Sequence, residues 1–265
     1  MYSKTKLAFK YIQYYITSSN GKGHGIHSPF VFEFIQEVLN DRRDFYAYLQ
    51  VESCRTLLLQ EKTLINIEDF GAGSRVIKNN QRAISSIARS SLKPKKYSQL
   101  LFRMVNYYQP KTILELGTSL GITSAYLASA NINSRVITLE GAAEIASIAE
   151  DNFSRLALQN IEIVQGNFDD TLPAVIDELS GIDFVFMDGN HRYLPTVQYF
   201  DQILSNCNND SIIILDDIHW SKEMEKAWQY VQAHPEVAMT IDLFFIGIVI
   251  LKKEIKEKQH FSIRF

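Results

Sequence analysis

The sequence predicts an α/β fold: a doubly wound, mostly parallel sheet of seven strands that ends in an antiparallel C-terminal hairpin and is preceded by a helical N-terminal extension. Three observations predict it. From Lys111 onward, short apolar runs alternate with helical patterns, and such alternation packs as a parallel sheet with helices on both faces. The first of these runs, Thr112–Leu116, leads into a loop with glycines at 117 and 121 and then into the helix-like run Ile122–Ala130. Near the far end, Met239–Phe245 and Ile248–Leu251 both read as strands, with only Ile246-Gly247 between them. Parallel neighbours need a long crossover, so this last pair is antiparallel.

In chain order, the helical spacing of Leu7, Tyr11, Tyr15 and of Ala8, Ile12, Ile16 predicts a helix over Lys6–Ile16. A glycine-rich break, Gly21–Gly25, follows, and it contains His24, with His27 just beyond. Ser28-Pro29 reads as an N-cap followed by proline at the first helical position, opening a helix over Phe30–Asn40 that continues through Asp41–Gln60. Ile65–Gly73 reads as a short extended piece that ends in Gly71-Ala-Gly73, and Arg82–Ser90 and Tyr97–Tyr108 read as helices. The strands of the α/β part are expected at Thr112–Leu116, Arg135–Leu139, Ile161–Gln165, Phe184–Met187 and Ile212–Leu215. The intervening helices are expected at Ala142–Leu156, Thr171–Leu179, Leu194–Ile203 and Lys222–Gln232. A division follows into an N-terminal helical region, residues 1–92, and an α/β domain, residues 93–265.

With 265 residues and 46% apolar composition the chain can bury a full core. A net charge of −3 speaks against nucleic acid as the main partner. No run approaches the length of a membrane span, and the first 20 residues mix Lys, Tyr and Gln into the apolar pattern rather than forming a leader. The expectation is a cytoplasmic protein with a small-molecule substrate, without a nucleic-acid or membrane partner, for which a homodimer is a compatible assembly. The two cysteines, Cys54 and Cys207, read as small apolar residues rather than a bridge or metal site.

The glycine loop carries the functional information. Glycines between a strand and a helix let a ligand approach the backbone, and the helix start behind them offers free N–H groups. A dinucleotide loop is spaced G-x-G-x-x-G. Here the pattern is Glu115-x-Gly117-x-x-x-Gly121, with an acid that would repel a phosphate but suits a ligand carrying an ammonium and a sulfonium. This pattern, together with the terminal hairpin, resembles the class I S-adenosylmethionine-dependent methyltransferases, whose fold is Rossmann-like and whose last strand inserts antiparallel. The resemblance covers Tyr97–Lys252. It implies that Glu115, Gly117, Thr118, Ser119 and Gly121 cradle the methionine part of S-adenosyl-L-methionine. Glu140, 23 residues after Gly117, is placed to accept from both ribose hydroxyls. Asn167 stands where the family has an adenine-contacting acid; Asp169 or Asp170 is an alternative, and Asp170 also reads as the cap of the next helix.

After the fourth and fifth strands come Asp188-Gly-Asn-His191 and Asp216-Asp217. Burying three carboxylates together is costly without a counter-charge, and a hard divalent cation relieves that cost. The set resembles the Mg²⁺-dependent catechol and caffeoyl-CoA O-methyltransferases, in which an Asp and an Asp-Asn pair hold the metal. Asp188, Asp216 and Asp217 match those places, and Asp188 also borders the cofactor. Where that branch has a lysine base, this sequence has His191, as do Asp-Gly-x-His relatives. His191 suits a general base or a neutral metal ligand, with Asp188 as its catalytic partner and His219 as understudy. The resulting expectation is an O-methyltransferase acting on a small-molecule hydroxyl, with Mg²⁺ or another divalent cation assisting. A metal-independent N- or protein methyltransferase, or a non-catalytic cofactor-binding module, is the alternative. A dinucleotide oxidoreductase lacks its third glycine.

Overall fold

The computed structural model describes residues 1–67, 81–252 and 254–265. The Gly71-Ala-Gly73 segment, and with it most of the predicted extended piece, lies outside the described residues. In chain order the elements are α1 (Lys4–Thr17), α2 (Pro29–Glu33) running into a π-helical turn (Phe34–Leu39), α3 (Tyr46–Gln60), β1 (Leu64–Asn66), β2 (Gln81–Ala83), α4 (Ile84–Ser91) and α5 (Lys95–Tyr108). Then follow β3 (Thr112–Leu116), α6 (Ile122–Ala130), β4 (Arg135–Glu140), α7 (Ala143–Arg155), β5 (Ile161–Gln165), α8 (Phe168–Glu178), β6 (Ile182–Met187) and α9 (Tyr193–Leu204). The chain finishes with β7 (Cys207–Asp216), α10 (Lys222–Ala233), β8 (Met239–Asp242), β9 (Ile246–Ile250) and β10 (Gln259–Ser262). It divides into two units, Arg42–Asp177 and Met1–Asp41 with Glu178–Phe265.

In the unit 42–177, β4 lies between β3 and β5, and both pairings are parallel. Ile113 and Leu114 are fully buried, although they point to opposite faces of β3. That is the mark of a strand covered on both sides, and each such side chain contributes about 2 kcal/mol relative to exposure. Helix α6 is buried almost all round, from Ile122 to Ala128, as expected of a helix with little polar face. It packs against α5 and α3. Helix α5 stops because Gln109 adopts a left-handed conformation (φ 49°) and Pro110 cannot continue it.

In the other unit, β6 pairs parallel with β7, and β9 runs antiparallel to both β7 and β8. The predicted hairpin is therefore present, but its turn is Leu243–Phe245 rather than Ile246-Gly247, which belong to β9. Phe244 takes φ 71° in that turn, and its N–H bonds Asp242 Oδ1 at 2.7 Å. Strand β10 then pairs parallel with β8.

Among the described residues, β3–β5 in one unit and β6–β10 in the other make eight strands, not the seven expected. The extra one, β10, is four residues long and carries no alternation of apolar and polar residues that would announce it. One helix start also differs. Phe45 is extended, so α3 begins at Tyr46 instead of continuing from residue 41. Pro29 does occupy the first turn of α2, yet Ser28 makes no side-chain cap bond. Both cysteines are free thiols. Among the described residues no helix is long and apolar enough to cross a membrane.

Candidate active site

The glycine loop belongs to the unit 42–177. Gly117 and Ser119 take φ 103° and 48°, and the Gly117 and Thr118 N–H groups both donate to the Leu139 carbonyl at 3.0 and 3.2 Å. The loop is thereby folded back onto the end of β4. Gly121 opens α6 at φ 78°, and a Cβ there would meet Phe153 of α7 at 2.7 Å, so this glycine is required by both conformation and packing.

Beneath the loop runs a buried polar chain. Thr118 Oγ1 and Thr138 Oγ1 are 2.6 Å apart. Thr138 donates to Glu115 Oε2 at 2.7 Å, and the same oxygen accepts from Ser124. Glu115 is fully buried and Thr118 nearly so. The structure thus places these two inside the β3–β4–α6 layer, where they hold the loop. Gly117, Ser119 and Glu140 remain partly exposed.

Glu140 ends β4. Its Oε2 accepts from the Ser119 N–H at 2.8 Å and its Oε1 from the Ala142 N–H at 3.0 Å. Burial pushes its carboxyl above the usual carboxylate range, against the pull of those backbone donors. The side chain therefore grips the strained Ser119 turn while leaving lone pairs for a further donor. Asn167 follows Gly166, whose N–H donates to the Glu140 carbonyl at 2.9 Å. The Asn167 carbonyl receives the Thr171 N–H, the first helical bond of α8, and its Oδ1 receives the Asp169 N–H at 3.3 Å. Asn167, not Asp170, is the cap; Asp170 lies in the first turn, where its charge favours the helix N-terminus.

The acidic residues belong to the other unit. Asp188 leaves β6, Asp216 ends β7, and His191 sits on the turn before α9. One ligand atom from each lies within 4.8 Å of the others. Asp216 is 2% exposed. Asp217, predicted as the third ligand, is not in this group; His191 takes the place. Asp217 turns left-handed at φ 53° as the chain leaves the strand, and its carbonyl is committed to the Trp220 N–H at 2.9 Å.

Two positioning residues escaped the sequence reading. Asn190, at φ 51°, shapes the 188–191 turn by donating to Tyr199 Oη at 3.2 Å and accepting from Arg192 Nε at 2.9 Å. A Gly-Asn pair is the available signal, since Asn tolerates this conformation. Glu223 of α10 accepts from the Tyr193 N–H at the start of α9 at 3.0 Å. His219, the understudy, is not available as a base: its ring nitrogens lie 3.2 Å from Glu225 Oε1 and 2.8 Å from Asp242 Oδ2.

Residues 114–218 match the family model described as a methyltransferase domain. The chain is 33% identical over 126 residues to the catechol O-methyltransferase of Niastella koreensis, covering 46% of this chain and 55% of the relative. It is 29% identical over 114 residues to O-methyltransferase imqG of Aspergillus flavus, covering 41% and 45%. The chain thus spans about half the length of the curated relatives it matches. Among solved structures, the O-methyltransferase from Bacillus cereus in complex with SAH superposes with a TM-score of 0.57 at 19% identity, covering 83% of this chain and 97% of that one. The SAH-bound methyltransferase PaMTH1 of Podospora anserina superposes with a TM-score of 0.60 at 12% identity, covering 96% and 98%. The fold is the one shared with these solved methyltransferases.

Proposed function

We propose that the protein is an S-adenosylmethionine-dependent O-methyltransferase that acts on a small-molecule hydroxyl with the help of a divalent cation. The observation that carries this reading is the convergence of Asp188, His191 and Asp216, with ligand atoms within 4.8 Å of one another. Two carboxylates and a neutral imidazole suit Mg²⁺, Mn²⁺ or a borderline transition metal. A silent cofactor-binding module has no use for such a set.

Glu140 would accept from the ribose hydroxyls, with Gly117 and Ser119 leaving room for the methionine end and Asn167 meeting the adenine edge. Glu115 and Thr118 would act from beneath, by fixing the loop. Asp188, His191 and Asp216 would hold the cation, which when bound supplies Lewis-acid polarisation of an acceptor oxygen. Methyl transfer then needs an oxygen aligned with the S–CH₃ bond and a destination for its proton. Asp188 and His191 are the residues placed to hold that proton in the absence of metal. An acceptor with two vicinal oxygens, such as a catechol, is the first class to test, in line with the relative from Niastella koreensis.

The test has two arms. Calorimetric titration with S-adenosylhomocysteine should give micromolar binding. Transfer of a labelled methyl group to a catechol should need added Mg²⁺ or Mn²⁺ and stop with chelator. Binding with chelator-insensitive transfer would move the assignment to a metal-independent enzyme, and no binding would remove the methyltransferase reading.

A further inference from the structure

Helix α1 has two apolar faces, and only one is used. Tyr11 and Tyr14 face inward; their rings lie 5.0 and 5.3 Å from that of Phe244, and Tyr14 donates to the Ile263 carbonyl. On the opposite face, Phe9, Ile12 and Ile16 form a stripe at helical spacing and are 68%, 56% and 70% exposed. A helix held by one face usually turns polar residues outward; this one turns out large hydrophobes.

The segment that carries the stripe is one-sided in charge, with Lys6 and Lys10 set over the Tyr2 ring. Residues 1–32 contain four lysines (Lys4, Lys6, Lys10 and Lys22) and no acid, in a chain whose net charge is −3. Lys10 is spent on Glu225 at 2.6 Å. Lys4, Lys6 and Lys22 are exposed. Arg264 adds a further cation, its guanidinium 5.0 Å from the Tyr15 ring centre and bonded to the Ile16 carbonyl at 3.4 Å.

We propose that the outer face of α1 is a docking surface for an anionic phospholipid bilayer. The helix would lie in the plane of the interface, with Phe9, Ile12 and Ile16 entering the acyl boundary and the lysines engaging headgroups. A second copy of the chain fits the stripe less well. Pairing two such helices would bring like charges together, and three side chains on one helix fall far short of the roughly 800 Å² per partner of a stable interface. The proposal is independent of the methyl-transfer reading.

Flotation of the full chain with vesicles of phosphatidylcholine alone, or mixed with phosphatidylserine, tests it. Wild type should float only with the anionic vesicles, and less so as salt is raised. Phe9→Ser/Ile12→Ser/Ile16→Ser should abolish flotation while keeping the wild-type melting temperature, since all three side chains are exposed. Lys4→Gln/Lys6→Gln, which leaves the stripe intact, should weaken binding about thirty-fold. Absence of wild-type flotation, or unchanged flotation of the serine variant, overturns the proposal. So does a wild-type dimer in sedimentation that the serine variant dissolves, because the stripe would then belong to a second copy.

Discussion

His191 Nε2 lies 3.5 Å from Asp188 Oδ1, across the turn that leaves β6. That is beyond a normal hydrogen bond, so the pair is not closed on itself. Asp188, His191 and Asp216 each bring one ligand atom within 4.8 Å of the others. A cation held by all three is the proposed occupant of that space, and the Asp216 prediction tests it.

Asp216 and Asp217 are adjacent in sequence but should differ in function. Asp216→Asn is expected to weaken Mn²⁺ binding, measured calorimetrically, by about a hundred-fold or more, since a coordinating group should matter at least as much as the partners that orient it. Asp217→Asn should change it little. Equal losses in the two variants would return Asp217 to the ligand set.

Gly121→Ala should destabilise the fold by about 3 kcal/mol, combining a crowded contact with Phe153 and a left-handed backbone. Denaturant unfolding reads this directly. A loss under about 0.5 kcal/mol, the scale of an ordinary surface change, would mean that α7 yields easily and that the loop is not clamped between helices.

Glu140 gives a pH signature. Burial raises its carboxyl, and only the ionised form offers full acceptor strength to two hydroxyls. Affinity for S-adenosylhomocysteine should therefore fall as pH drops from neutrality through that raised value. Glu140→Gln should bind about ten-fold more weakly near neutral pH and show a flatter pH profile. A variant that keeps the wild-type pH slope would place the titrating group elsewhere.

How legible each feature was depended on whether it is local. The glycine spacing and the terminal hairpin are set by loop lengths and backbone needs within a few residues, so both could be read directly. The place of Glu140 at the end of β4 could be read because one βαβ step fixes its distance from Gly117. His191 could be named as a metal ligand from its offset to Asp188, whereas the left-handed turn at Asp217 was not legible, because it is a single-residue feature at the end of β7. Glu115 could be singled out because its residue type fits a cationic ligand. Its burial under the loop depends on Thr138 and Ser124, which approach only once β4 and α6 are packed. Strand β10 is defined by its partner β8 rather than by its own sequence.

His219 should act as a pH-dependent tie for α1. Its imidazole lies between Asp242 at the end of β8 and Glu225 of α10, and Glu225 also accepts from Tyr2 Oη at 2.7 Å and binds Lys10. The ring is stacked on Phe244, 5.1 Å between centres. Burial alone would lower the histidine, but the hydrogen bonds and charges of the two carboxylates outweigh it and the net shift is upward. Burial pushes Glu225 up, yet Lys10, Tyr2 and His219 bring it below the usual range. The signs follow from linkage. The histidine's contribution is complete below its unfolded value of about 6.5 and is lost as pH rises through the higher folded value. The glutamate's is present above the ordinary carboxylate range and fails only in acid. His219→Gln should therefore cost about 2 kcal/mol near pH 6, as expected for a charged hydrogen bond, and much less near pH 9. Differential scanning calorimetry of wild type and variant at the two pH values measures the gap in Tm. An equal gap at both would mean that His219 is held neutral and packs by shape alone.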